Sequence, residues 1–165
     1  MNRDQKIVAR GAASGVLSML VLVMVLYKLL PPVVGNLTAY ITAALALSIV
    51  PLFIMIASVG NARFMSKAIN PLAHAEDKSM EINGRVTNNT LEQTFVFVIA
   101  ALALSAQLSF ENQKLILALA LVFVLARFAF WFGYRKDPLL RAPGMAATLY
   151  MNLSILLGIL YLVIF

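Results

Sequence analysis

Five stretches of this 165-residue chain are long, apolar and nearly free of charge, and they leave few ways for it to fold. Crossing the hydrocarbon core of a bilayer takes about 20 mostly apolar residues. Gly11 to Tyr27, Gln93 to Phe110 and Ala142 to Phe165 carry no charged residue, and Leu115 to Tyr134 carries one, Arg127. Leu29 to Ala62 is also charge-free, but Pro31-Pro32 and Gly35-Asn36 break it, which leaves Thr38 to Gly60 as the span. Lone strands cannot satisfy their backbone groups in lipid, so each span is a helix. The expected fold is an all-α polytopic membrane bundle with helices at about 7–30, 38–60, 86–109, 113–135 and 143–165. Pro51 falls mid-span, where a kink is expected. Gly11 and Gly15 form a small-xxx-small pair of the kind that lets a second helix approach closely.

Composition narrows the chemistry. With 62% hydrophobic and 12% charged residues, the chain lacks the polar surface to coat a water-soluble globule. The absence of cysteine excludes disulfide scaffolds, thiol catalysis and cysteine-ligated metals, and one histidine, His74, gives no basis for a protein-built metal site. The formal charge of +6 reads as an orientation signal before nucleic-acid binding, so no nucleic-acid partner is expected. The first span has a basic start but no small-residue cleavage site after it, so it reads as a retained helix and not as a secretory leader. With five spans, eleven basic residues fall on one side, among them Arg3, Lys6, Arg10, Arg63, Arg85 and Arg141. Only Lys28 and Lys114 fall on the other. Positive loops stay cytoplasmic, which sets the N-terminus inside and the C-terminus outside. The six-residue string Ala-Ala-Leu-Ala-Leu-Ser occurs at 43–48 and again at 100–105, as an internal duplication in a transporter would leave it.

Two places are oddly polar for a membrane segment. One opens the third helix, where Arg85, Asn88, Asn89 and Glu92 fall within about a 100° arc of one face. An unpaired carboxylate at Glu92, two turns in, costs several kcal/mol unless it faces protein, water or a ligand. The other closes the fourth helix, where Arg127 and Tyr134 lie seven apart, Asp137-Pro138 ends the helix and Arg141 precedes the fifth. Each residue has a plain structural reading. Arg127 can snorkel, Trp131 and Tyr134 can form an aromatic belt, and Glu92 can pair with Arg85 or Arg127. Asn88 and Asn89 can glue helices together, and Arg135, Lys136 and Arg141 can simply set topology. Against these stands the convergence of four arginines, a carboxylate and a tyrosine on one membrane face.

At these residues the chain resembles the MAPEG family (membrane-associated proteins in eicosanoid and glutathione metabolism). The family's Arg-x-x-x-Asn-x-x-Glu pattern is matched by Arg85, Asn89 and Glu92, and its later arginine, Gly-Tyr and basic loop by Arg127, Gly133-Tyr134 and Arg141-Ala142-Pro143-Gly144. The resemblance covers about residues 38 to 165. It implies a four-helix MAPEG-like core at 38–165, a homotrimer, and glutathione as co-substrate bound between subunits near the cytoplasmic face. Residues 1–37, with a helix at 7–30, are then an addition. The resemblance also implies the roles. Arg85 and Arg127 hold the carboxylates of glutathione, Glu92 its ammonium, Asn89 a peptide group and Tyr134 the tripeptide, while Arg141 stabilises the thiolate. The substrate is a lipophilic electrophile arriving from the membrane lipids, and the setting is a bacterial inner membrane. A tyrosine found in some members one turn after the fourth-helix arginine is Phe130 here. Three readings follow: a glutathione-dependent transferase or peroxidase, a non-catalytic structural or lipid-binding relative, and a small transporter using Glu92 as a relay.

Overall fold

The computed structural model describes residues 1–70, 72 and 75–165, so His74 lies outside the described residues. Among these, five helices run as α1 (Arg3–Leu29), α2 (Leu37–Phe64), α3 (Lys78–Gln107), α4 (Lys114–Lys136) and α5 (Ala142–Ile164). Each is long and apolar enough to cross a membrane, and the chain is an integral membrane protein.

Helix ends follow polar caps rather than the edges of the apolar stretches. Asn2 and Gln5 form a reciprocal capping box that starts α1 at Arg3, four residues before the expected 7. Asn36 caps α2 by accepting from the Ala39 N–H at 3.1 Å, just after Gly35, whose φ of 85° suits glycine. Asp77 caps α3 by accepting from the Met80 N–H at 2.8 Å, and α3 therefore begins eight residues before the expected 86. Charge counting finds the lipid-facing segment, whereas the helix continues into water behind the exposed Lys78, Glu81 and Arg85. At 1.5 Å per residue α3 is about 45 Å long against a hydrocarbon core of about 30 Å. Glu92 thus lies about four turns into α3, not two. Helix α2 runs without a break through the buried Pro51.

Helices α2 to α5 pack around one apolar core. Its centre is the stacked pair Phe97–Phe123, with ring centroids 4.4 Å apart, among the buried alanines 100, 101 and 120 that let the backbones close in. A second cluster of Met55, Val86, Phe130 and Trp131 fills the end that carries Arg141. Helix α1 docks on the outside of its own bundle, mainly along α5 and also against α4. The glycine pair explains where. A Cβ on Gly15 would overlap the Pro143 carbonyl, and one on Gly11 would come within 3.2 Å of the Ala142 Cβ. The close approach therefore falls at the first turn of α5, directly after Arg141.

Candidate functional site

Arg127, nine residues before the end of α4, is fully buried. It does not snorkel. Its Nη2 donates to the Asn89 Oδ1 at 3.0 Å and the Thr90 Oγ1 at 2.9 Å, both on α3, and its Nη1 to the Thr148 Oγ1 on α5 at 3.0 Å. The Thr148 hydroxyl can accept because its own proton is directed at the α5 carbonyls of Met145 (3.2 Å) and Gly144 (3.3 Å). The guanidinium also lies over the Phe130 ring, 4.2 Å from its centroid. Its Nε has no protein partner.

Every partner of this cation is neutral. Among the described residues the ion pairs are Arg63–Glu76 and Arg85–Glu81, so Arg127 has no counter-ion within the chain. The Arg127–Glu92 and Arg85–Glu92 pairings weighed from the sequence do not form. Withdrawing an arginine from water costs several kcal/mol, and hydrogen bonds to neutral acceptors return that only in part. The site is an electropositive interior that favours an anion.

An aromatic series links this cation to the helix ends. Phe130 meets Tyr134 edge-on at 5.8 Å, and the Arg141 guanidinium lies 5.0 Å from the Tyr134 ring centroid. Arg85 pairs with Glu81 at 2.6 Å and is close enough to the Tyr134 hydroxyl for the two to interact electrostatically. The local chain dictates this corner. Gly133 lets the Leu140 carbonyl cross over α4, Asp137 accepts from the Leu139 N–H at 2.7 Å, and Gly144 lets α5 press on the backbone of Ala126 and Phe130. Arg85, Asn89, Arg127, Tyr134 and Arg141 thus belong to one continuous cluster.

Glu92 does not join it. It is not a buried carboxylate within the chain but is exposed on the outer face of α3. It follows Glu81, Arg85 and Asn88 there, and the same exposed stripe continues as Phe95, Ile99 and Leu102. The spacing of four and three residues is that of a helix face seeking a partner helix. Thr90 and Thr148, which hold Arg127, escaped sequence reasoning. So did Asn83, which accepts from the Trp131 Nε1–H at 3.0 Å, and Asn152, whose amide donates to Gln93 at 3.1 Å. A signal existed: Thr148 and Asn152 are polar residues spaced by four in the largely apolar α5, and Thr90 and Thr94 repeat that spacing within the polar opening of α3.

The sequence pattern of the MAPEG family matches residues 41–161 of the chain. No curated protein and no solved structure matches it significantly. The match takes in α3, α4 and all the clustered residues, and it leaves α1 outside.

Proposed function

The chain belongs to the MAPEG family, and we propose that it acts there as a glutathione-dependent transferase or peroxidase on a lipophilic electrophile. Membership supports a membrane protein with a glutathione-related function; the reaction, the ligand pose and the assembly are our reading. The observation that carries it is Arg127, a cation buried without a counter-ion, with an unpartnered Nε and two further arginines next along the aromatic series.

Glutathione has two carboxylates, one ammonium group and one thiol. Arg85 and Arg127 would take the carboxylates, for which a guanidinium offers paired donors. Asn89 already accepts from Arg127 through Oδ1, which leaves its amide hydrogens for a peptide carbonyl. Tyr134 would pack against the tripeptide. Arg141 would lower the thiol pKa from its usual value near 8.5, so that more of it is the attacking thiolate. Glu92 can reach the ammonium only from the outer face of α3. For that reason we place the ligand at a seam with a second copy of the chain, in a homotrimer whose contacts include the α3 stripe. The electrophile would enter laterally from the membrane lipids. In a bacterial inner membrane the Arg141 end would face the cytoplasm, which keeps glutathione reduced.

Phe130 favours a second reading, a non-catalytic lipid-binding or structural member. Its ring is committed to Arg127, and it offers no hydroxyl where some relatives have one. Calorimetry with glutathione on detergent-purified protein separates the two. The enzyme reading requires saturable binding that Arg85→Ala and Glu92→Ala each abolish, and thiolate absorbance that Arg141→Ala removes with the assembly intact. No heat of binding at millimolar glutathione would leave the non-catalytic reading standing.

A further inference from the structure

Helix α1 makes its closest backbone approach where its glycines meet the start of α5, and from Met19 onward an apolar groove of about 500 Å³ opens between α1, α4 and α5. Its walls are Met19, Val23 and Met24 of α1 facing Leu119, Met151 and Ile155. On α1 it runs from Met19 to Tyr27, about 12 Å at the helical rise. That is close to the depth of one leaflet's hydrocarbon, about half of 30 Å. The groove lies at the end of the bundle away from Arg141, and α1 falls outside the family match.

The rim is polar on one side. Tyr27, the last lining residue of α1, donates its hydroxyl proton to the Asn112 Oδ1. The Lys114 ammonium sits over the Tyr27 ring, 4.7 Å from its centroid, and donates to the Leu30 carbonyl at 3.3 Å. Lys114 and Lys28 are the basic residues of this end; the acid beside them is Glu111, on the turn before α4. A cation at the mouth of a leaflet-deep apolar slot fits a molecule with a phosphate at one end and a hydrocarbon chain behind it.

We propose that this groove holds one acyl chain of a membrane phospholipid, with its phosphate on Lys114, as a fixed lipid between α1 and the bundle. Counting retained lipids per chain by native mass spectrometry tests it, after the detergent-purified protein is stripped and re-exposed to phosphatidylglycerol. Gly158 lines the groove, and a Cβ there meets nothing within 4 Å, so a side chain can start into open space and Gly158→Phe is expected to fill the slot. The wild type should keep one more lipid per chain than Gly158→Phe, at equal thermal stability. Ser154→Leu, in the same wall, should reproduce the loss if the phenylalanine proves disruptive. Lys114→Met should weaken retention about fivefold, the worth of one lysine near an anionic lipid surface. Equal lipid counts in the wild type and both groove variants overturn the proposal, as does retention that ignores Lys114→Met. A groove found closed by a helix of another copy, with no lipid retained, overturns it too.

Discussion

At the scale of single residues, Arg127 makes the sharpest distinction between stability and function. A buried charge replaced by an apolar side chain of similar length often costs nothing, because its desolvation penalty disappears with it. Thr90 and Thr148 can turn their hydroxyls to helix carbonyls, as Thr148 already does. Arg127→Met is therefore expected to unfold within about 1 kcal/mol of the wild type while losing all affinity for a carboxylate ligand. Thr148→Val should behave in the opposite way. It removes an acceptor from a cation that stays buried, which costs about 1–3 kcal/mol. Urea or thermal unfolding in detergent, run beside ligand calorimetry, reads both effects. A strongly destabilised Arg127→Met protein would mean that the guanidinium holds the bundle together, and the electropositive site would lose its functional meaning. Arg127 also shows what a linear sequence conceals. The spacing of Arg127 and Tyr134 was visible, but the partners Asn89, Thr90 and Thr148 come from two other helices, and their register is set by tertiary packing.

At the scale of elements, the number and order of helices were legible because lipid makes a simple demand: enough apolar residues to span it. Helix ends were less legible, since Asn2, Asn36 and Asp77 set them through local hydrogen bonds that hydropathy ignores. The repeated hexapeptide shows the same weakness in the other direction. Leu45 of the first copy is buried, whereas its counterpart Leu102 is exposed, so the two copies do not occupy equivalent places. The glycine pair of α1 was legible as a contact, but its partner was not. The docking of α1 is open to a direct test because the chain has no cysteine of its own. An ideal Cβ at Gly11 lies 3.2 Å from that of Ala142, slightly inside the separation usual for a disulfide. Gly11→Cys with Ala142→Cys should oxidise to an intramolecular bridge and migrate as a faster monomer on a non-reducing gel. Covalent dimers or trimers in its place would show α1 docked on a neighbouring copy. Gly15→Leu should prevent the bridge in the triple variant, because the added side chain strikes the Pro143 backbone.

At the scale of the whole molecule, charge and fold agree on a direction. Helix α1 begins at the end that carries Arg141, since Gly11 meets Ala142, and five crossings leave the last residue of α5 at the other end. Arg3, Lys6, Arg10, Arg63, Lys67, Lys78, Arg135, Lys136 and Arg141 therefore gather at one end, and Lys28 and Lys114 at the other. By the positive-inside tendency, an imbalance this large in short loops predicts that the basic end faces the cytoplasm. The same orientation would expose the arginine cluster to reduced glutathione and turn the rim of the α1 groove to the opposite leaflet. Single cysteines placed in the cysteine-free chain can report it. Glu111→Cys, on the turn between α3 and α4, should react with a membrane-impermeant maleimide on intact cells. Lys67→Cys, in the loop after α2, should react only once the membrane is opened. The reverse pattern would place Arg85, Tyr134 and Arg141 away from the cytoplasmic thiol pool, and glutathione could then not be the ligand those residues serve in the cell.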